Sequence, residues 1–210
     1  DIAAELGVAL EVDGMGITLA DVDGDARIDV YVSDLGDNEL LLGSDDGFVE
    51  VLDSGAAHIR PFGAGQDVVS STWGTGAIDV NLDGVLDLVL ASGGFPVGTV
   101  SNKIENTEIA VAEPPALLLG LGDGTFANAW PSLGLDLDVA ARGLSIGDLD
   151  DDGDDDIVIV DRRGPIYVLR NDMSGPSVTL SPASGCGGER VLTAETDVGF
   201  FQRLLAPHSY

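Results

Sequence analysis

Three stretches of the chain alternate aliphatic and other positions directly after an acidic run: Val30 and Val32, Leu88 and Leu90, Ile157 and Ile159. Alternation with period two predicts strands that bury one face. A second apolar run follows 19 residues after the first Asp of the acidic run in two places, Leu40-Leu41-Leu42 and Tyr167-Val168-Leu169. In the middle copy the matching run, Leu117-Leu118-Leu119, comes 38 residues on. An insertion of about 19 residues is therefore expected around Phe95 to Pro115, where NKIENTE and Pro114-Pro115 read as loop. The turn signals SDDGF (Ser44 to Phe48) and GDGTF (Gly122 to Phe126) then predict hairpins. Upstream, Gly16, Gly74 and Gly143 each stand five residues before an acidic run, and Leu6-Gly7 and Leu133-Gly134 begin 15 residues before theirs.

Each unit thus reads as strand, acidic loop, strand, turn, strand, turn, strand, at spacings of 58 and then 69 residues. Four antiparallel strands at such a period describe a β-propeller blade. The expected fold class is all-β, three four-stranded propeller-type blades with a short β tail. The first blade spans 1–57 with its loop at 21–29, and the second 58–132 with its loop at 79–87 and the insertion at about 95–115. The third spans 133–176 with its loop at 148–156, and the tail is 177–210. Short helical turns are expected near Ile2 to Leu6 and Ala127 to Leu133.

Composition changes this picture in one respect. The 210 residues carry 37 acidic and 9 basic side chains, a formal charge of −28. A surface this negative is repelled by nucleic-acid phosphates and anionic lipid, which excludes both as partners. No apolar run approaches the roughly 20 residues that span a bilayer, so no membrane insertion is expected. The acidity is lopsided, 28 Asp against 9 Glu, and 14 of those Asp lie in the 27 positions of three aligned windows. The chain begins at Asp1 without Met or an apolar leader, which reads as a processed chain. Its single cysteine, Cys186, allows no intrachain disulfide; an interchain bond and an inert thiol are both open to it.

The windows are DVDGDARID (Asp21 to Asp29), DVNLDGVLD (Asp79 to Asp87) and DLDDDGDDD (Asp148 to Asp156). Carboxylates at alternate positions converge when the backbone curls around a hard cation, and calcium takes six to eight oxygen ligands. The first loop offers Asp21, Asp23, Asp25 and Asp29 with the Arg27 carbonyl. The second offers Asp79, Asn81, Asp83 and Asp87 with the Val85 carbonyl. The third offers Asp148, Asp150, Asp152 and Asp156 with the Asp154 carbonyl. Three Ca²⁺ sites are expected. Gly84 and Gly153 at the sixth position permit a sharp turn; the first loop departs, with Ala26 there and Gly24 two earlier. An EF-hand is excluded, because it needs a Glu at position twelve between helices. That position is Val32, Leu90 or Ile159, each in an expected strand. Magnesium tolerates few all-protein cages.

These loops and the GDGTF-type turns resemble the FG-GAP/VCBS repeats of integrin-α propellers and related secreted proteins. GMGITLADVDGDARIDVYVSD, STWGTGAIDVNLDGVLDLVLAS and GLSIGDLDDDGDDDIVIVDRRGPIYVLRND are similar to repeats of the cartilage acidic protein type. GERVLTAETDVGFFQ (Gly188 to Gln202) resembles part of its ASPIC/UnbV tail. The repeat resemblance covers about residues 6–175. It implies blades, structural calcium and an extracellular or cell-surface location, but no single activity. Such propellers usually close with about seven blades, and three leave two sheet faces open. Missing blades of a larger chain or head-to-tail self-association are then expected, giving a ring or an open filament.

Catalytic signals are few. Gly143-Leu144-Ser145-Ile146-Gly147 matches the G-x-S-x-G nucleophile pattern but runs straight into an acidic loop. His58 and His208 sit in no metal or triad spacing. The chain is expected not to be an enzyme. The leading expectation is an extracellular calcium-binding structural or adhesive repeat protein that self-assembles. The alternative is a carbohydrate-binding, lectin-like propeller, its pocket formed by the 95–115 insertion or blade edges, with Trp73 or Trp130 stacking on sugar or packing internally; the expected partner is a glycan or an extracellular protein. A non-catalytic domain of a secreted enzyme is the third expectation.

Overall fold

The computed structural model describes residues 2–56, 68–96, 111–135, 137, 139–162, 164–173, 190–196 and 199–205. The first unit forms β1 (Gly16–Ala20), β2 (Asp29–Ser33), β3 (Glu39–Ser44) and β4 (Gly47–Glu50), paired antiparallel in chain order. Its acidic loop joins β1 to β2, and the SDDGF turn sets Ser44 opposite Gly47. A short strand β5 (Val68–Val69) precedes β6 (Thr72–Ile78) and β7 (Asp87–Ser92), after which β8 (Phe95–Pro96) turns back to pair with β5. The second sheet resumes with β9 (Ala116–Gly120) and β10 (Phe126–Asn128), in the order β10-β9-β7-β6. Leu88 of β7 stands opposite Leu118 of β9, so the insertion leaves the ladder intact, as the 38-residue spacing implied.

One 3-10 turn (Trp130–Leu133) ends at Gly134 in the left-handed conformation. The third sheet follows as β11 (Ala141–Gly147), β12 (Asp156–Asp161) and β13 (Ile166–Leu169). It has three strands among the described residues where the pattern predicted four. In the tail, β14 (Arg190–Thr196) and β15 (Gly199–Leu205) form a hairpin. His58, Cys186, His208 and insertion residues 97–110 lie outside the described residues.

Antiparallel sheets with both faces aliphatic pack on both sides, and the second sheet does so. In β7, Leu88 and Leu90 join Val22, Tyr31 and Leu40 of the first unit in one core. Val89 and Ala91 point the other way and join Trp130, Ile157 and Ile159 in a second core. All six residues of β7 are buried. Each buried Leu or Ile contributes roughly 1.5–3 kcal/mol. The residues nine and eleven places after a loop's first Asp therefore face the preceding sheet, and those ten and twelve places after face the next.

The first strands of the units lie side by side, β1 against β6 and β6 against β11. This explains the glycines before the loops. A Cβ on Gly16 would overlap the Trp73 carbonyl, and one on Gly74 would lie 2.6 Å from the Leu144 nitrogen. Glycine recurs where the next unit passes in backbone contact. Ser33 Oγ also donates to the Trp73 carbonyl at 2.7 Å, and the Thr18 and Thr75 hydroxyls pair across the same junction.

One repeated element had no signal in the spacing. The Phe48 amide donates to the Leu6 carbonyl, and the Phe126 amide to the Ser54 carbonyl, both at 2.7 Å. Gly7 and Gly55 follow with φ of 76° and 78°. Ser54-Gly55 thus does for the second sheet what Leu6-Gly7 does for the first. It stands ten residues further from its loop, which hid it from alignment by offset.

Candidate metal centres

The three acidic loops fold alike because the same carboxylates accept the same backbone amides. The first Asp (Asp21, Asp79, Asp148) accepts from the fifth residue through one oxygen and from the sixth through the other, at 2.9–3.2 Å. The fifth side chain (Asp25, Asp83, Asp152) accepts from the seventh amide, at 2.9, 2.9 and 3.3 Å. Short Asp and Asn side chains favour such local turns. Where Asp23 and Asn81 stand third, each also accepts the fifth amide at 3.1 Å.

The ninth residue plays a second part. Asp29, Asp87 and Asp156 are only 1%, 0% and 1% exposed. One oxygen of each accepts the amide of the loop's second residue, Val22, Val80 or Leu149, at 2.7–3.0 Å. The other reaches the end of the sheet's third strand: Gly43 at 2.8 Å, Gly120 at 2.9 Å, or Asn171 just beyond β13 at 2.9 Å. This carboxylate clamps loop to sheet before any ion is considered.

Among the described residues, two trios of carboxylates bring ligand oxygens within 4.8 Å of one another: Asp21, Asp23 and Asp29, and Asp148, Asp150 and Asp156. These are positions one, three and nine of their loops, and either trio could hold a metal ion. The middle loop places Asn81 at position three, so Asp79 and Asp87 have an amide oxygen there in place of a third carboxylate. The structure does not bring every expected ligand into the trios. The Asp25 carboxylate is turned to Arg27, which bridges it at 2.7 Å to Asp45 at 2.6 Å. Asp152 likewise stands outside its trio.

Crowding of carboxylates shows in their protonation. Burial, before any other cause, raises Asp23, Asp29, Asp79 and Asp87 above the usual carboxylate range, Asp87 to about 6. Burial and then neighbouring carboxylates raise Asp150 and Asp154. Asp25 is held low instead, first by the Arg27 amide and then by its guanidinium. Asp154, beside the third loop's trio but outside it, adds to the crowding there. It is 4% exposed, no amide or cationic donor reaches its carboxylate oxygens, and it lies against the carboxylates of Asp152, Asp156 and Asp150. A buried carboxylate among others, with no such donor, is costly without a cation. The donor set, all oxygen and mostly anionic, suits a hard divalent ion.

The departure in the first loop turns out to be an exchange. Every loop needs left-handed backbone at both its fourth and sixth residues. The first uses Gly24 (φ 78°) and Ala26 (φ 68°), the second Leu82 (φ 58°) and Gly84 (φ 87°), the third Asp151 (φ 61°) and Gly153 (φ 100°). Each loop thus holds one non-glycine residue at a cost of about 1–2 kcal/mol. Ala26→Gly and Leu82→Gly are each expected to stabilise the chain by about 0.5–1 kcal/mol after the entropy of glycine is offset. Urea unfolding midpoints check this, and a loss of stability in both variants would contradict the strain.

The remaining candidates fall into place structurally. Position twelve, Val32, Leu90 or Ile159, lies inside β2, β7 or β12, with strands and no helices flanking the loops. Ser145 lies in mid-strand in β11, without the turn a nucleophile elbow needs. Trp130 is buried in the second core. Trp73 has the Arg142 guanidinium 3.9 Å over its ring, Phe95 edge-on at 5.8 Å, and its Nε1 bonded to the Gly93 carbonyl at 2.9 Å. Comparison with known proteins gives no matching family model and no matching curated protein.

Proposed function

We propose that this chain is a calcium-organised structural and adhesive repeat module of the FG-GAP/VCBS kind, acting outside the cell. Its sheets are read as propeller-type blades stacked face to face. The observation that carries this reading is the threefold recurrence of one loop geometry, each copy ending in a buried aspartate that ties the loop to its own sheet. In the first loop Asp21, Asp23 and Asp29 would hold the ion, with Asp25 and the Arg27 carbonyl beside them. In the second these are Asp79, Asn81 and Asp87, with Asp83 and the Val85 carbonyl. In the third they are Asp148, Asp150 and Asp156, with Asp152 and the Asp154 carbonyl. A bound divalent ion supplies positive charge at the corner where three strands meet. The chain's residues contribute the fixed turn and the clamp, so ion binding is read out as rigidity of the whole stack.

An ion held only by the folded chain stabilises it by about 2.7 kcal/mol per site at a hundredfold excess over its dissociation constant. Three sites then raise the melting temperature by about 20 °C. Calorimetric melts in calcium and in excess chelator test this. Coincident melts would sink the reading, and an equal shift with magnesium would remove its calcium specificity.

A further inference from the structure

We infer that the two outer sheet faces are complementary, and that the face of the first sheet docks on the face of the third sheet of a second copy of this chain. The inference rests on the structural-module reading above and names the surfaces that reading uses. Both faces carry exposed apolar side chains; the first also presents Glu39 and Glu50, opposite Val32 and Leu41, and Leu41 is buried there. On the first sheet, Ile17 and Leu19 of β1 are 64% and 63% exposed. On the third, Val160, Ile166 and Val168 are exposed on the side opposite the second core.

What seats on them is indicated by the junctions already inside the chain. At the junction of the second and third sheets, Leu144 and Ile146 stand four and two residues before their loop. They fill the space left by Gly74 and Gly76, five and three before theirs. A Cβ on Gly74 would lie 2.8 Å from the Leu144 Cβ, and one on Gly76 would overlap the Ile146 side chain. Ile17 and Leu19 occupy the same offsets as Leu144 and Ile146, four and two before Asp21. They are the bulky half of such a junction, with no sheet across from them among the described residues. Gly143 and Ser145 occupy the offsets of Gly74 and Gly76. Among the described residues a Cβ on Gly143 would meet only Val160, at 3.5 Å, so there this glycine leaves open the space that its counterparts fill. Behind these strands, Val158 and Val160 stand at the offsets that face a following sheet, and Val30 and Val32 at those that face a preceding one.

A copy docked through this register repeats a packing that the chain makes between its own sheets. Because the two surfaces differ, the contact is head to tail and propagates. The charge of −28 on each copy opposes it, so association tightens with rising salt.

Sedimentation velocity of the full chain in calcium at physiological salt tests the inference, with Ile17→Asp spoiling one face and Gly143→Leu the other. Val168→Asp is a second variant of the third-sheet face, and circular dichroism confirms that each is folded. The parent is expected to form species larger than its 21.6 kDa monomer as concentration rises towards about 100 μM. Each variant alone is expected to stay monomeric. An equimolar mixture of Ile17→Asp with Gly143→Leu or Val168→Asp is expected to form a dimer and nothing larger, since each supplies the face the other lacks. A monomeric parent, variants that still associate, or a mixture that stays monomeric would each overturn the docking. Loss of the calcium-dependent melting shift, with association intact, would instead count against the metal reading.

Discussion

Asp87→Ala is expected to melt about 10 °C below the parent chain with chelator present, before any ion contributes. Asp87 is fully buried and holds the Val80 amide at 3.0 Å and the Gly120 amide at 2.9 Å. Truncation leaves both amides without an acceptor, at about 1–3 kcal/mol each, and opens a small void. Relief of the buried charge offsets part of this, leaving roughly 2–4 kcal/mol. Asp83→Ala makes the contrast. Asp83 lies in the same loop but accepts only the exposed Val85 amide and a bond from the Asn81 side chain. Its loss is expected to shift the chelated melt by about 2 °C or less and to act mainly on the calcium-dependent part. If Asp87→Ala and the parent melt together in chelator, the clamp is not structural and Asp87 serves the ion alone.

That double role of the ninth residue was only half legible in the sequence. Offsets within each loop place nine residues in register, so the alternating carboxylates and the strand that follows them could be read directly. The second acceptor bond of Asp29, Asp87 and Asp156 runs to residues 14, 33 and 15 positions later. The distance varies because the insertion falls between the two ends, and no local pattern records a bond made only when the third strand arrives. The left-handed backbone was partly visible for a similar reason. Glycine marked one of the two positions in each loop, while Ala26, Leu82 and Asp151 took the other under constraint from their neighbours. The glycines ahead of the loops were seen as a repeat, yet their cause lies on the adjoining sheet. Only the stacked units show that Gly16 and Gly74 make room for Trp73 and Leu144. Among the described residues the third sheet follows the alternation for three strands, and no turn signal like SDDGF or GDGTF stands after Leu169.

The response of stability to pH is expected to change sign with the ion. In the ion-free chain, burial raises Asp87 from 3.8 to about 6 and also raises Asp23, Asp29 and Asp79. Between an unfolded value near 4 and a folded value near 6, the folded chain binds more protons than the unfolded one, so stability falls as pH rises through that window. For Asp87 alone the difference between pH 4 and pH 7 is about 2–3 kcal/mol. Asp25 and Asp123 are lowered and act in the opposite sense, but only below the usual carboxylate range. Acidifying the chelated chain from pH 7 to pH 5 is therefore expected to raise its melting temperature by several degrees. With calcium bound the same carboxylates must be ionised, protons compete with the ion, and acidification over the same window releases it and lowers the melting temperature. Urea midpoints at pH 7, 6 and 5, each in calcium and in chelator, are expected to give two lines of opposite slope that converge at the acid end. Parallel lines would mean that the loops hold no ion through these groups. A falling midpoint on acidification in chelator would mean that burial does not govern Asp87. Protons and a divalent ion thus relieve the same crowding by different routes, and the convergence of the two lines reports where protons displace the ion from the folded loops.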